Sequence, residues 1–170
     1  ETLDTAVLFA APVVELVSGD FLEIQADAMG GLRLPVSPAS RIRYSVISQP
    51  PQLAAGEQAV STPDYPEAIL AHYLQVPAAS QHVAELARRV SHEATTPFER
   101  TLAIQQHLLK NYSYSLEADT ATLSHPLEEF LFTRKTGYCE HYATAMVVML
   151  RTVGIPARLV TGFLATEWNE

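Results

Sequence analysis

A chain of 170 residues, 48% hydrophobic and 18% charged, carries enough apolar side chain to bury one sizeable core with room for a small second lobe, which excludes a disordered or strongly solvated chain. The formal charge is −8, from 11 basic and 19 acidic residues, and with only the modest Arg33, Arg41, Arg43 group against that background, nucleic acid is not an expected partner. The longest apolar run, Ala143 to Leu150, is broken by Thr144 and stops at Arg151, far short of the roughly 20 residues a membrane span needs.

The chain opens on Glu1 and Asp4 with no Met and no basic-then-apolar leader, so it reads as a piece excised from a longer protein, with any processing signal outside it. Leu22, Ile24 and Ala26 alternate with polar residues, Gly30-Gly31 offers a turn, and Leu32 to Val36 can return as the second arm of a hairpin. Ile42, Tyr44 and Val46 alternate with Arg41, Arg43 and Ser45, which predicts a further strand with one solvated face. Residues 1–60 are therefore expected to form an antiparallel β lobe and its linker, the linker being the Pro-rich, Gly-containing stretch from Gln49 to Tyr65.

Residues 61–170 read differently. Pro66 can open a short helix ending near Leu74, and Val83, Leu86, Ala87 and Val90 fall on one face of a second. Thr96, Pro97 and Glu99 supply an N-cap, a first-turn proline and the acid of a capping box. They predict a helix with Phe98, Leu102, Ile104 and Leu108 or Leu109 on its apolar face, stopping near Asn111. Tyr112 to Leu116 alternates as an extended segment, and Glu117 to Ser124 reads as a surface loop. A helix can begin at Pro126, with Leu127, Phe130 and Leu131 on one side, and break over Thr133 to Gly137.

From Tyr138 to Val153 the residues Cys139, Ala143, Met146, Val147 and Leu150 share one face, and Gly154 with Pro156 ends the run. A strand entering the core sheet is predicted over Ala157 to Phe163. The fold class is thus α+β, with no internal repeat or low-complexity tract.

The chain has one cysteine, and an unpaired thiol is either a small core residue or a reactive group. Placed in the first turn of a helix, Cys139 faces unpaired N–H groups and the positive end of the helix dipole, which favour the thiolate. Arg134 and Lys135 upstream add to this, and Glu140 opposes it. The Cys139 N–H can also point into the space of its own sulfur and serve as an oxyanion donor. Spacing alone leaves the nucleophile and the core residue both open.

The run Arg134-Lys135-Thr136-Gly137-Tyr138-Cys139-Glu140-His141-Tyr142-Ala143, followed by Gly154-Ile155-Pro156-Ala157-Arg158, closely resembles the nucleophile segment of the transglutaminase-like superfamily. The resemblance is strong over residues 125 to 170 and weaker back through Tyr112. In the Gly-Tyr-Cys-Glu-His form it is similar to bacterial proteins that carry the domain outside the cytoplasm, tethered by flanking membrane helices. It implies the Cys-bearing half of a papain-like core, incomplete at its C-terminal end, and a periplasmic, membrane-anchored parent.

The resemblance further implies that the Cys139 thiolate attacks a glutamine side-chain amide, releases ammonia and passes the acyl group to an amine or to water. The partners would be a protein or peptide glutamine donor and an amine acceptor, with no cofactor. The family's triad His and Asp come from strands beyond Glu170, so the piece itself is expected to be inactive. Tyr114 is the positional candidate for a second oxyanion donor, with core packing as the alternative. Trp168 is read as lining an acyl-donor channel or simply packing. A peptidase or amidase on the same scaffold, and a non-catalytic envelope-binding domain, are the alternative readings.

Within the chain, His141 lies two residues after Cys139, about 200° around a helix, so a capping or packing role is expected for it rather than that of a base. His125 reads as a helix-entry residue, and His72, His82, His92 and His107 as ordinary helix positions. Six histidines without close spacing and one cysteine give no expected zinc site.

Overall fold

The structure, a computed structural model, describes residues 5–27, 30–49, 64–77, 81–117 and 125–162. The chain divides into two compact units, Glu1–Leu53 with Thr161–Glu170 and Ala54–Val160. The expected change of lobe near residue 60, Phe163 and Trp168 all lie outside the described residues, as do 118–124 of the expected surface loop.

The first unit is antiparallel β. Strands β1 (Val7–Leu8), β3 (Gln25–Ala26) and β4 (Leu32–Arg33) form a sheet in the order β1-β4-β3. The expected hairpin is present as β3 and β4, with Gln25 opposite Arg33 and Ala26 opposite Leu32. Its turn needs glycine at Gly30 and is tight at Gly31. Gly30 takes a left-handed φ of 81°, and a Cβ on Gly31 would collide with the Asp27 carboxylate, whose Oδ1 accepts the Gly31 N–H at 2.9 Å. Leu22, expected on the strand's apolar face, lies outside β3 and is fully exposed.

The expected strand around Tyr44 runs Tyr44–Ser48 (β5) and excludes Ile42. It pairs with β2 (Val14–Gly19), a partner that sequence alternation did not single out. The Tyr44 hydroxyl accepts the Phe9 N–H at 2.8 Å and donates to the Phe9 carbonyl at 3.2 Å, so one side chain meets both main-chain groups of Phe9.

The second unit is built on helices. Helix α1 (Glu67–Tyr73) begins after Pro66, α2 (Gln81–Val90) buries Val83, Leu86 and Ala87, and α3 (Pro97–Asn111) starts on the expected capping box. The Thr96 hydroxyl accepts the Glu99 N–H at 3.1 Å, and Glu99 Oε2 returns to the Thr96 N–H at 3.0 Å. Of the apolar residues expected on its inner face, Ile104 and Leu108 are buried while Leu102 and Leu109 are exposed.

After α3, β6 (Ser113–Tyr114) pairs in parallel with β7 (Thr136–Gly137). Between them α4 (Pro126–Glu128) widens into a π-helical turn, Glu129–Arg134, that carries the helix past the break expected from Thr133. Lys135 ends it at φ 54°, and the buried Tyr112 hydroxyl donates to the freed Leu131 carbonyl at 3.0 Å. Helix α5 (Cys139–Thr152) then crosses the core.

Helix α5 closes on a paired C-terminal motif. Ile155 N–H reaches the Leu150 carbonyl and Gly154 N–H the Arg151 carbonyl, at 3.0 and 3.1 Å, with Gly154 at φ 82° and buried Ile155 beside buried Leu150. The strand expected from Ala157 does not form among the described residues. Residues 155–162 pair with no described strand, and Leu159 and Val160 are exposed. Alternation gives a segment two faces, but only a neighbouring strand with free N–H and C=O groups makes it a strand. Arg151 anchors this tail instead, donating to the carbonyls of Ala157 at 2.7 Å and Gln75 at 2.8 Å.

Candidate active site

Helix α5 packs on α2 and α3, and its buried residues are Ala145, Val148, Met149 and Leu150. Of these, Ala145, Val148 and Met149 centre roughly 130° around the helix from the line of Cys139, Ala143 and Met146, while Leu150 lies on that line near the far end of the helix and Met146 packs against the core. Cys139 itself is not a core residue: its side chain is exposed, at the first helical position after the N-cap Tyr138. The core-residue reading of the lone thiol is overturned.

The main chain around the sulfur is partly spent and partly open. The Tyr138 carbonyl accepts the N–H groups of His141 at 3.0 Å and Tyr142 at 3.3 Å. Among the described residues no acceptor takes the N–H of Cys139 or Glu140. Both are orphan donors of the first turn, open to a ligand.

His141 does what its position two residues on allows. Its Nδ1 accepts the Tyr138 N–H at 3.2 Å, and its ring stands edge-on to Tyr138 at 4.3 Å and tilted against Phe130 at 5.5 Å. It caps and packs, as expected. The other imidazoles are engaged elsewhere: His72 Nδ1 at the Ala68 carbonyl, His92 Nδ1 at the Arg89 carbonyl, His82 beside Glu128, and His107 edge-on to Tyr112. Burial first, then Arg89 and Lys135, hold His107 below the ordinary imidazole range. His125 precedes Pro126 as the N-cap residue of α4.

Tyr114 lies opposite Gly137 in the β6–β7 ladder, which sets its main chain beside the strand leading into Cys139. It is 61% exposed, its ring tilted near that of Tyr142 at 6.2 Å, so core packing does not account for it. On the neighbouring side of α5 a cavity of about 250 Å³ is walled by Leu127, Phe130, Tyr138, Glu140, His141 and Thr144 among others. Among the described residues no group of three or more His, Cys, Asp or Glu side chains is placed to hold a metal.

Sequence reasoning took Lys135 as a charge near the thiol and Gly137 as the end of a helix break, and gave neither a part in shaping the cap. Lys135 turns the chain out of the π-helical segment through a left-handed φ, and Gly137 is buried against the His141 ring. A glycine two residues before the cysteine was the available signal.

A single thiol at the head of a core helix, fed by a short parallel ladder within an α+β chain, is the arrangement of a transglutaminase-like fold. The transglutaminase-like superfamily model matches residues 84–169, and the chain belongs to that superfamily. Over 103 residues it is 33% identical to the uncharacterised protein YebA of Bacillus subtilis (strain 168), covering 58% of this chain and 14% of that protein. Over 100 residues it is 35% identical to a protein-glutamine gamma-glutamyltransferase of Pseudomonas aeruginosa, covering 56% and 14%.

The crystal structure of the periplasmic domain of TgpA from Pseudomonas aeruginosa superposes with a TM-score of 0.73 at 25% identity, over 98% of this chain and 55% of that one. The chain thus spans about half of the solved domain and a small part of the curated relatives.

Proposed function

We propose that this chain supplies the nucleophile of a thiol-dependent acyl transfer on protein or peptide glutamine, carried out by a longer parent protein outside the cytoplasm. The observation that carries the reading is the exposed Cys139 at the first position of α5, with its own N–H unspent. The relative named a protein-glutamine gamma-glutamyltransferase and the similar fold of the TgpA periplasmic domain support it. Among the described residues no helix is long and apolar enough to cross a membrane, so a tether belongs to other parts of the parent.

The sulfur attacks the carboxamide carbon, and the carbonyl oxygen takes the negative charge against the Cys139 N–H. Collapse breaks the C–N bond. Ammonia leaves with the proton the thiol gave up, and a thioester remains. An amine then attacks the thioester carbon, an amide forms, and the thiol is regenerated; water in place of the amine yields the acid. His141 Nδ1 is committed to the Tyr138 N–H; as the family resemblance implies, the base that carries the proton, and the acid that orients it, come from parent segments following α5. Tyr114 is the second oxyanion donor through its hydroxyl, a role its place opposite Gly137 supports.

The test is incorporation of a labelled primary amine into a glutamine donor by the parent-length protein, with and without Cys139→Ala. Incorporation that vanishes with the thiol supports the reading. Acid product with or without excess amine would make the enzyme a hydrolase, and no turnover by the parent-length protein would leave a binding domain.

A further inference from the structure

The geometry points to His141 as a positioning residue for Cys139, its imidazole and its own main-chain N–H holding the two peptide planes that lead into the nucleophile. The inference rests on the acyl-transfer reading only where it concerns turnover.

Tyr138 is bracketed by His141 on both sides. The plane before it ends in the Tyr138 N–H, donated to His141 Nδ1 at 3.2 Å. The plane after it carries the Tyr138 carbonyl, which accepts the His141 main-chain N–H at 3.0 Å. A peptide unit is planar, so its C=O and the following N–H point in opposite directions. Holding the Tyr138 carbonyl toward the helix therefore aims the Cys139 N–H outward, where an oxyanion donor has to point. With both planes tied, the φ and ψ of Tyr138, −114° and −174°, have little freedom, and the direction in which Cys139 leaves the cap is set.

The residue type matters. A capping box normally uses Glu or Gln at this third position to accept the N-cap N–H. A glutamate here would add a second carboxylate beside Glu140, close to where a thiolate and then an oxyanion form. A neutral ring accepting at Nδ1, with its proton on Nε2, supplies the same bond without that charge. The ring fits because residue 137 is glycine: a Cβ there would meet His141 Cγ at 2.8 Å and Nδ1 at 3.0 Å. Phe130 on the π-helical turn and Tyr138 itself hold the ring from other sides. Gly137, Phe130 and His141 thus form one device around the bond that aims the nucleophile.

Because the chain has a single cysteine, iodoacetamide alkylation at fixed pH reports on this site alone. His141→Leu keeps an apolar body against Phe130 and removes the acceptor, and is expected to slow alkylation by about tenfold or more, the scale for losing a supporting partner behind a reactive group. The Tyr138 amide should lose its protection from hydrogen exchange. His141→Gln restores an acceptor and should return both to near wild type, while Gly137→Ala should reproduce His141→Leu by displacing the ring.

Unchanged alkylation with the Tyr138 amide still protected in His141→Leu would overturn the proposal. So would equal loss in the Leu and Gln variants, or outright unfolding of both, since the role would then be bulk packing. Turnover in the parent-length protein keeps the two claims separate. Full turnover by Cys139→Ala would end the acyl-transfer reading while alkylation and exchange still decide His141.

Discussion

Cys139 combines two features on one residue, a sulfur open to solvent and a main-chain N–H with no acceptor among the described residues. Both go with its place in the first turn of α5, ahead of the buried positions, which begin at Ala145. One N–H is half of the usual oxyanion arrangement, which is why Tyr114 matters. Tyr114→Phe keeps the ring near Tyr142 and removes only the hydroxyl. If the hydroxyl donates to the oxyanion, kcat for amine incorporation should fall by about a hundredfold or more with KM nearly unchanged. An unaltered kcat would return Tyr114 to a packing role.

At the scale of the element, α3 shows how local chemistry fixes a helix start. The Thr96 N–H, the Thr95 hydroxyl and the Thr95 N–H all donate to Glu99 Oε2. With the Thr96 bond foremost, they hold the Glu99 carboxyl down to about 2 from 4.5. A carboxyl lowered in the folded state releases its proton more readily there than in the unfolded chain, so its contribution is complete above about 4.5 and is lost as pH falls toward about 2. The melting temperature of Glu99→Gln should therefore lie below wild type at neutral pH and converge on it through that acid window. Thermal melts across pH measure this, and a pH-independent gap would count against it.

The same helix shows where pattern stops deciding. Phe98, Leu102 and Leu109 lie on one line of α3, and Ile104 and Leu108 on another about 120° away. Each is a plausible inner face from spacing. Contact with α2 and α5 selects the second. Helix α5 is a partial case: of the expected stripe Leu150 is buried and Met146 packs against the core, while Ala145, Val148 and Met149 bury a second line that spacing did not single out. The capping box, the Gly154 stop and the Gly30-Gly31 turn were readable because each depends on atoms within a few residues.

For the whole molecule, the candidate site stands on the core of the second unit, where Val83, Ile104, Phe130, Leu131 and Met149 are fully buried. Met149 lies on the face of α5 opposed to α2 and α3, so its truncation leaves a cavity that these helices close only in part. Met149→Ala should cost about 2–5 kcal/mol in denaturant unfolding, and a loss under about 1 kcal/mol would show that the helices collapse into the space.

By itself the sequence determined the α+β class, the helix starts and stops, and the cysteine at the head of a helix, because caps, turns and thiol placement are written in neighbouring residues. Only the tertiary structure decided which face of α3 and α5 is buried, that the tail after Pro156 pairs with no described strand, and that Gly137 makes room for His141. Those outcomes depend on which surfaces distant segments present to one another, and a period of 3.6 or 2 residues names a face without naming what covers it.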